Sequence, residues 1–160
     1  MWVYPTTAGS TGQIQALYAN DSPNQRAGMI YLENVSGSLV PKFQVYQIDD
    51  TQKIVAWGSG ITTNAWHLVV VEVQTNTFSA SDGKIYISVD GGATVSTSLS
   101  NFVRGAQYEC DLGRRPYSGD EKPYAGRIDQ LAQWLRVLSA AEITLFYNGG
   151  SGQTFPFVTN

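Results

Sequence analysis

Apolar and polar positions alternate along most of this chain with a period of two. The clearest run, Lys84-Ile85-Tyr86-Ile87-Ser88-Val89-Asp90, predicts a strand that turns Ile85, Ile87 and Val89 to a core. Shorter runs predict strands at Trp2–Tyr4, Gln13–Ala19, Met29–Glu33, Lys42–Ile48, Ile54–Trp57, Thr94–Leu99 and Tyr108–Arg114. In Lys42–Ile48, Phe43, Val45 and Gln47 share a face opposite Gln44, Tyr46 and Ile48. Ala65–Val73 is nearly continuous in apolar residues, which predicts a strand buried on both faces. Turn-forming clusters separate the runs: Ser22-Pro23-Asn24 within a polar loop from Asn20 to Gly28, Gly58-Ser59-Gly60, Ser81-Asp82-Gly83, Asp90-Gly91-Gly92 and the charged stretch Ser118–Pro123.

The period changes only near the C-terminus. Ala125–Trp134 alternates as a last strand, with Ile128 and Trp134 on one face and Asp129 and Leu131 on the other. Ser139-Ala140-Ala141-Glu142 then forms a capping box, in which the serine hydroxyl accepts from the backbone three residues on and the glutamate reaches back. Ile143, Leu145 and Phe146 give the helix an apolar side, and Asn148-Gly149-Gly150 ends it. About 11 short strands and one short C-terminal helix predict an all-β fold, a two-sheet antiparallel jelly-roll sandwich. No repeat or linker divides the 160 residues, so residues 1–160 read as a single domain.

Composition narrows the function classes. Only 14% of residues are charged and the net charge is -3, which argues against a nucleic-acid binder with its basic face. Cys110 is the sole cysteine, so no intrachain disulfide forms, and no apolar run is long enough for membrane insertion. The first residues, MWVYPTTAGS, lack a signal-peptide pattern.

Several of these segments resemble laminin-G-like, concanavalin A-like jelly-roll domains. The motif from Gly126-x-Ile128-Asp129-x-Leu131 to Leu138-Ser139-x-x-Glu142-Ile143-x-x-x-Tyr147-Asn148-Gly149 resembles their C-terminal signature. Trp2-Val3-Tyr4-Pro5 is similar to their "W-V-x-P" strand, Trp66-His67 to their "W-H-H-V-A" strand, Tyr86 to Gly91 to their "lYvDG" turn, and Leu112-Gly113-Arg114 to their "iGr". In that family further strands precede the first of these, so the resemblance implies a sandwich without its usual opening strands and with an exposed sheet edge. Gln133 and Leu135 depart from the family pattern.

The resemblance implies a fold that serves lectins, adhesion modules and enzymes alike. The hydrolases of this fold carry closely spaced acids on one strand, whereas Glu33, Glu72, Glu109 and Asp129 are isolated here and Asp49-Asp50 and Asp120-Glu121 fall in loops. With His67 the lone histidine, a non-catalytic module is expected, and a glycan-active enzyme ranks third. No cofactor is required. By resemblance Asp129 is a candidate ligand of a structural calcium, and the other reading is a hydrogen-bonded carboxylate that caps the turn before the helix. The leading expectation is a carbohydrate- or glycoprotein-binding module. Sugar C–H faces stack on aromatic rings, and Trp57, Tyr108, Tyr117 and Tyr124 with Arg114 and Asp120 form the candidate platform at one rim; Trp2, Trp66 and Trp134 are expected in the core. The alternative is a structural virion protein, a capsid decoration or tail-fibre component, that self-associates or meets neighbouring subunits through its sheet edges. The expected location is correspondingly a cell-surface module of a larger chain or a virion surface.

Overall fold

The computed structural model describes residues 1–22, 25–47, 49–75, 83–100, 110–116 and 119–153. Its strands are β1 (Trp2–Pro5), β2 (Ile14–Ser22), β3 (Gln25–Val35), β4 (Ser38–Tyr46), β5 (Gln52–Ala56), β6 (His67–Gln74), β7 (Gly83–Val89), β8 (Val95–Leu99), β9 (Cys110–Leu112) and β10 (Gly126–Asp129). The helix α1 spans Ala140–Tyr147. The strands form two antiparallel five-stranded sheets, β10-β1-β6-β7-β8 and β5-β4-β3-β2-β9. This is the all-β sandwich, consistent with a jelly roll, that the alternation predicts.

The main core lies between the sheets. Val3, Val69, Ile85, Ile87, Val89 and Leu99 face Leu17, Ile30, Leu32, Leu39, Phe43, Val45 and Val55. Ile85 and Ile87 are fully buried, as their parity requires. On one side of the sandwich β8 packs on β5. The other side is edged by β9 and β10. A second, smaller core sits on the outer face of the first sheet, where Trp2 and Leu68 meet Leu138, Ile143 and Phe146. It docks α1, whose capping box is present as expected, with Ser139 accepting from the Glu142 backbone and the Glu142 carboxylate accepting from that of Ser139. The helix ends on Asn148, itself left-handed at φ 46°, and Gly149 and Gly150 continue with positive φ.

Four expectations are corrected. The polar stretch from Asn20 to Gly28 is mostly strand, because the β2–β3 ladder continues to Ser22↔Gln25 beyond the apolar core; Pro23 and Asn24 lie outside the described residues. The last strand stops at Asp129 rather than Trp134, because Gln130 adopts φ 48° and turns the chain out of the sheet. β6 is buried on both faces only near its start; Val73, on the same face as the core residue Val69, is 36% exposed at the far end of the strand. Trp66 and Trp134 are 40% and 36% exposed and not core; Trp134 leans on Phe146, and Trp66 precedes β6 on the outer face of the sheet.

Candidate functional site

The rim platform expected from the sequence is not assembled as a unit. Trp57 follows β5 and packs over Gly92, where an added Cβ would meet its ring at 2.9 Å. β5 and β9 are the opposite edges of one sheet, four strand steps or about 19 Å apart, so Trp57 lies far from the loop after β9. That loop does gather Arg114, Asp120 and Tyr124, but their polar groups are engaged internally. Arg114 pairs with Asp111 at 2.7 Å. Asp120 pairs with Arg115 and with Lys122, each at 2.6 Å, and the bond from Lys122 above all holds its carboxyl below the usual range. Tyr124 is half-buried against the core, and burial pushes its phenol well above the ordinary value. Tyr108 and Tyr117 lie outside the described residues.

A different set of side chains comes together on the outer face of the first sheet. In β1, Val3 and Pro5 turn inward, so Trp2 and Tyr4 turn outward. The register pairs Tyr4 with Arg127 and Trp2 with Asp129 on one side, and Trp2 with Leu68 on the other. One further step sets Tyr4 against Trp66, and their rings meet at 5.4 Å between centroids. Two cross-strand rows result: Arg127–Tyr4–Trp66, and Asp129–Trp2–Leu68. The Arg127 guanidinium lies over the Tyr4 ring, 5.4 Å from its centroid. Tyr147 covers part of Trp2, stacking on it with centroids 6.1 Å apart.

Between the rows runs a shallow groove of about 140 Å³, walled by Trp2, Trp66, Asp129, Gln130 and the turn Gly150-Ser151-Gly152 that follows α1. Gly152 sits at φ 66° and a Cβ there would lie 3.3 Å from the Trp2 indole, so the close approach of this turn depends on glycine. The groove thus has one exposed aromatic face, a carboxylate, an amide and a hydroxyl. The sequence expectation places Trp66 in the core and includes neither Tyr4 nor Arg127; the alternating parity of β1 and β10 is the signal that points to this face.

Asp129, the sequence's candidate for a calcium, lines this groove and is exposed. Its Oδ1 accepts from the backbone N–H of Gln130 at 2.7 Å, so it caps the turn that ends β10. Calcium takes 6–8 oxygens. Among the described residues no three His, Cys, Asp or Glu side chains converge, so Asp129 would bring one carboxylate to an ion that needs several further donors.

Two of the acids that the sequence places on strands have internal partners, and Glu109 lies outside the described residues. Glu33 binds Lys42 at 2.6 Å, and Glu72 accepts from the Leu138 backbone at 2.6 Å, with burial raising its pKa. His67 is held from both sides: Nδ1 lies 2.7 Å from Asp90 Oδ2, and Nε2 lies 3.1 Å from both the hydroxyl and the carbonyl of Thr62. The tautomer that would accept the Thr62 hydroxyl proton leaves that carbonyl without its donor. Asp90 also caps the Leu68 N–H at 2.8 Å, so this cluster braces the turn after β7 against β6.

Comparison with curated proteins and with solved structures returns no significant match. A family model does match, over residues 1–144, in keeping with the two five-stranded sheets and the helix they carry: the chain belongs to the concanavalin A-like lectin/glucanases superfamily, through its Laminin_G_3 family.

Proposed function

We propose that this domain is a non-catalytic, lectin-like module that binds a glycan or glycoprotein surface in the groove beside Trp66. The observation that carries this reading is an indole 40% exposed, propped by Tyr4 and set next to Asp129, Gln130 and Ser151. An aromatic face takes the C–H face of a pyranose, and neighbouring carboxylate, amide and hydroxyl groups take its hydroxyls. The shallowness of the groove suits an exposed chain rather than an enclosed small molecule. A glycan array probed with wild type and W66A tests the reading: wild type is expected to give saccharide signals that W66A loses while keeping its circular dichroism spectrum. Signals that persist in W66A, or none from wild type, would overturn it.

A second reading, assembly through sheet edges as in a virion component, is favoured by one observation. The side of the sandwich edged by β9 and β10 presents Leu112 and Leu131, 52% and 47% exposed, around a cleft lined by Tyr124 and Ile128. Light scattering distinguishes the two. The lectin reading expects W66A-sensitive glycan binding by whatever species is found. The assembly reading expects an oligomer that L112D/L131D dissociates.

A further inference from the structure

Arg127 is an exposed cation on the outer face of the first sheet, beside the groove. Lys42, Arg114, Arg115, Lys122 and Arg136 are each tied to a carboxylate. Arg127 makes no ion pair among the described residues; its guanidinium is exposed and held over the Tyr4 ring. A cation laid on an aromatic face keeps its N–H fork free for an outside acceptor, and that planar fork matches a carboxylate in two-point fashion. The row geometry fixes where such an acceptor would be. Arg127 and Trp66 flank Tyr4 on either side across the sheet, two strand steps or about 10 Å apart, roughly the length of two units in an extended saccharide. Asp129 lies one row away on the same strand, about 7 Å along β10 from Arg127. Its negative charge disfavours an acidic group at the Trp2 end and favours sugar hydroxyls there. The groove is therefore polar along its length as well as across it.

We infer that the preferred ligand is an acidic saccharide of two or more units, one stacked on Trp66 and another further along the chain presenting a carboxylate to Arg127. This rests on the glycan-binding reading above and adds the chemical class of the sugar. It makes Arg127 a specificity determinant and Trp66 the general anchor. The recognition is carried by side chains of the sheet face alone and needs no bound ion.

Isothermal titration of the whole domain separates the two claims, with trigalacturonate against its methyl ester and 3′-sialyllactose against lactose as probes. In each pair the acidic sugar is expected to bind at least tenfold more tightly, in buffer containing a chelator. R127Q is expected to lower the acidic affinity to the neutral level and leave the neutral probe unchanged, whereas W66A weakens both. R127K should recover only part of the preference, since an ammonium lacks the fork. Equal binding of acidic and neutral probes, still lost in W66A, overturns the acidic preference and leaves the lectin reading standing. Binding of none of the probes at millimolar concentration overturns the inference for these sugars, and the glycan array then decides the broader reading. A preference for acidic sugars that survives R127Q places the carboxylate elsewhere and equally overturns the assignment.

Discussion

Ile87 is the most direct probe of the sandwich. It is fully buried in the middle of β7, between β6 and β8, and belongs to the core shared by the two sheets. Ile87→Ala removes three carbons, worth about 2.4 kcal/mol at roughly 0.8 kcal/mol per buried methylene. A rigid core relaxes only partly around the space left, which brings the expected loss to about 3–4 kcal/mol. For a domain of this size that is a fall in melting temperature of roughly 6–16 °C. Lys84, on the same strand but exposed, is the internal control, and Lys84→Ala should change stability by no more than about 0.5 kcal/mol. Urea and thermal melts followed by circular dichroism measure both. The reasoning is refuted if I87A loses less than about 1 kcal/mol, or if the two variants behave alike. Because a one-residue slip turns every side chain of a strand over, such a result would mean that β7 presents its other face to the core.

Three more outcomes follow from local features. Ser139→Ala removes the hydroxyl that accepts from the Glu142 backbone and should lower stability by about 1 kcal/mol in the same melts; no change would mean that the capping box does not hold α1. Glu142 is depressed to about 2 by Arg136, helped by the Ser139 backbone and hydroxyl, so its contribution is full above the unfolded value of 4.5 and is lost as pH falls through about 2. Glu72, raised by burial, acts in the opposite sense, so the comparison that isolates the first group is E142Q, whose melting temperature should fall less than that of wild type between pH 4.5 and pH 2. Chelation with EDTA should leave the melting temperature unchanged, because Asp129 already serves as the cap of Gln130; a fall of several degrees that calcium restores would point to a bound ion.

The features legible in the sequence were those fixed by near neighbours. The capping box needs only residues three apart, and the burial of Ile85, Ile87 and Val89 follows from parity along one strand. The hairpin from β3 to β4 is tighter than the alternation predicts: the strands extend to Val35 and from Ser38, and Ser36 and Gly37 both have positive φ, the twist that a two-residue turn requires. The features that were not legible depend on what lies across the sheet. Parity places Trp2, Tyr4 and Leu68 on an outer face, yet only the docking of α1 decides that Trp2 and Leu68 are covered while Trp66 stays open. The left-handed Gln130 carries no glycine to announce it, so alternation alone extends the strand to Trp134. The candidate platform failed at Trp57 for the same reason, since distance across the sheet depends on strand order. The groove beside Trp66 needed the register of β1 with both β10 and β6, which a single sequence does not display.

The central claim is the location of the binding site, and a crystal structure of the domain with its best array glycan tests it most directly. The account predicts a pyranose ring lying on the Trp66 indole, with hydroxyls reaching Asp129, Gln130 or Ser151. A sugar bound instead at the loop carrying Arg114, Asp120 and Tyr124, or in the cleft between β9 and β10, would contradict it.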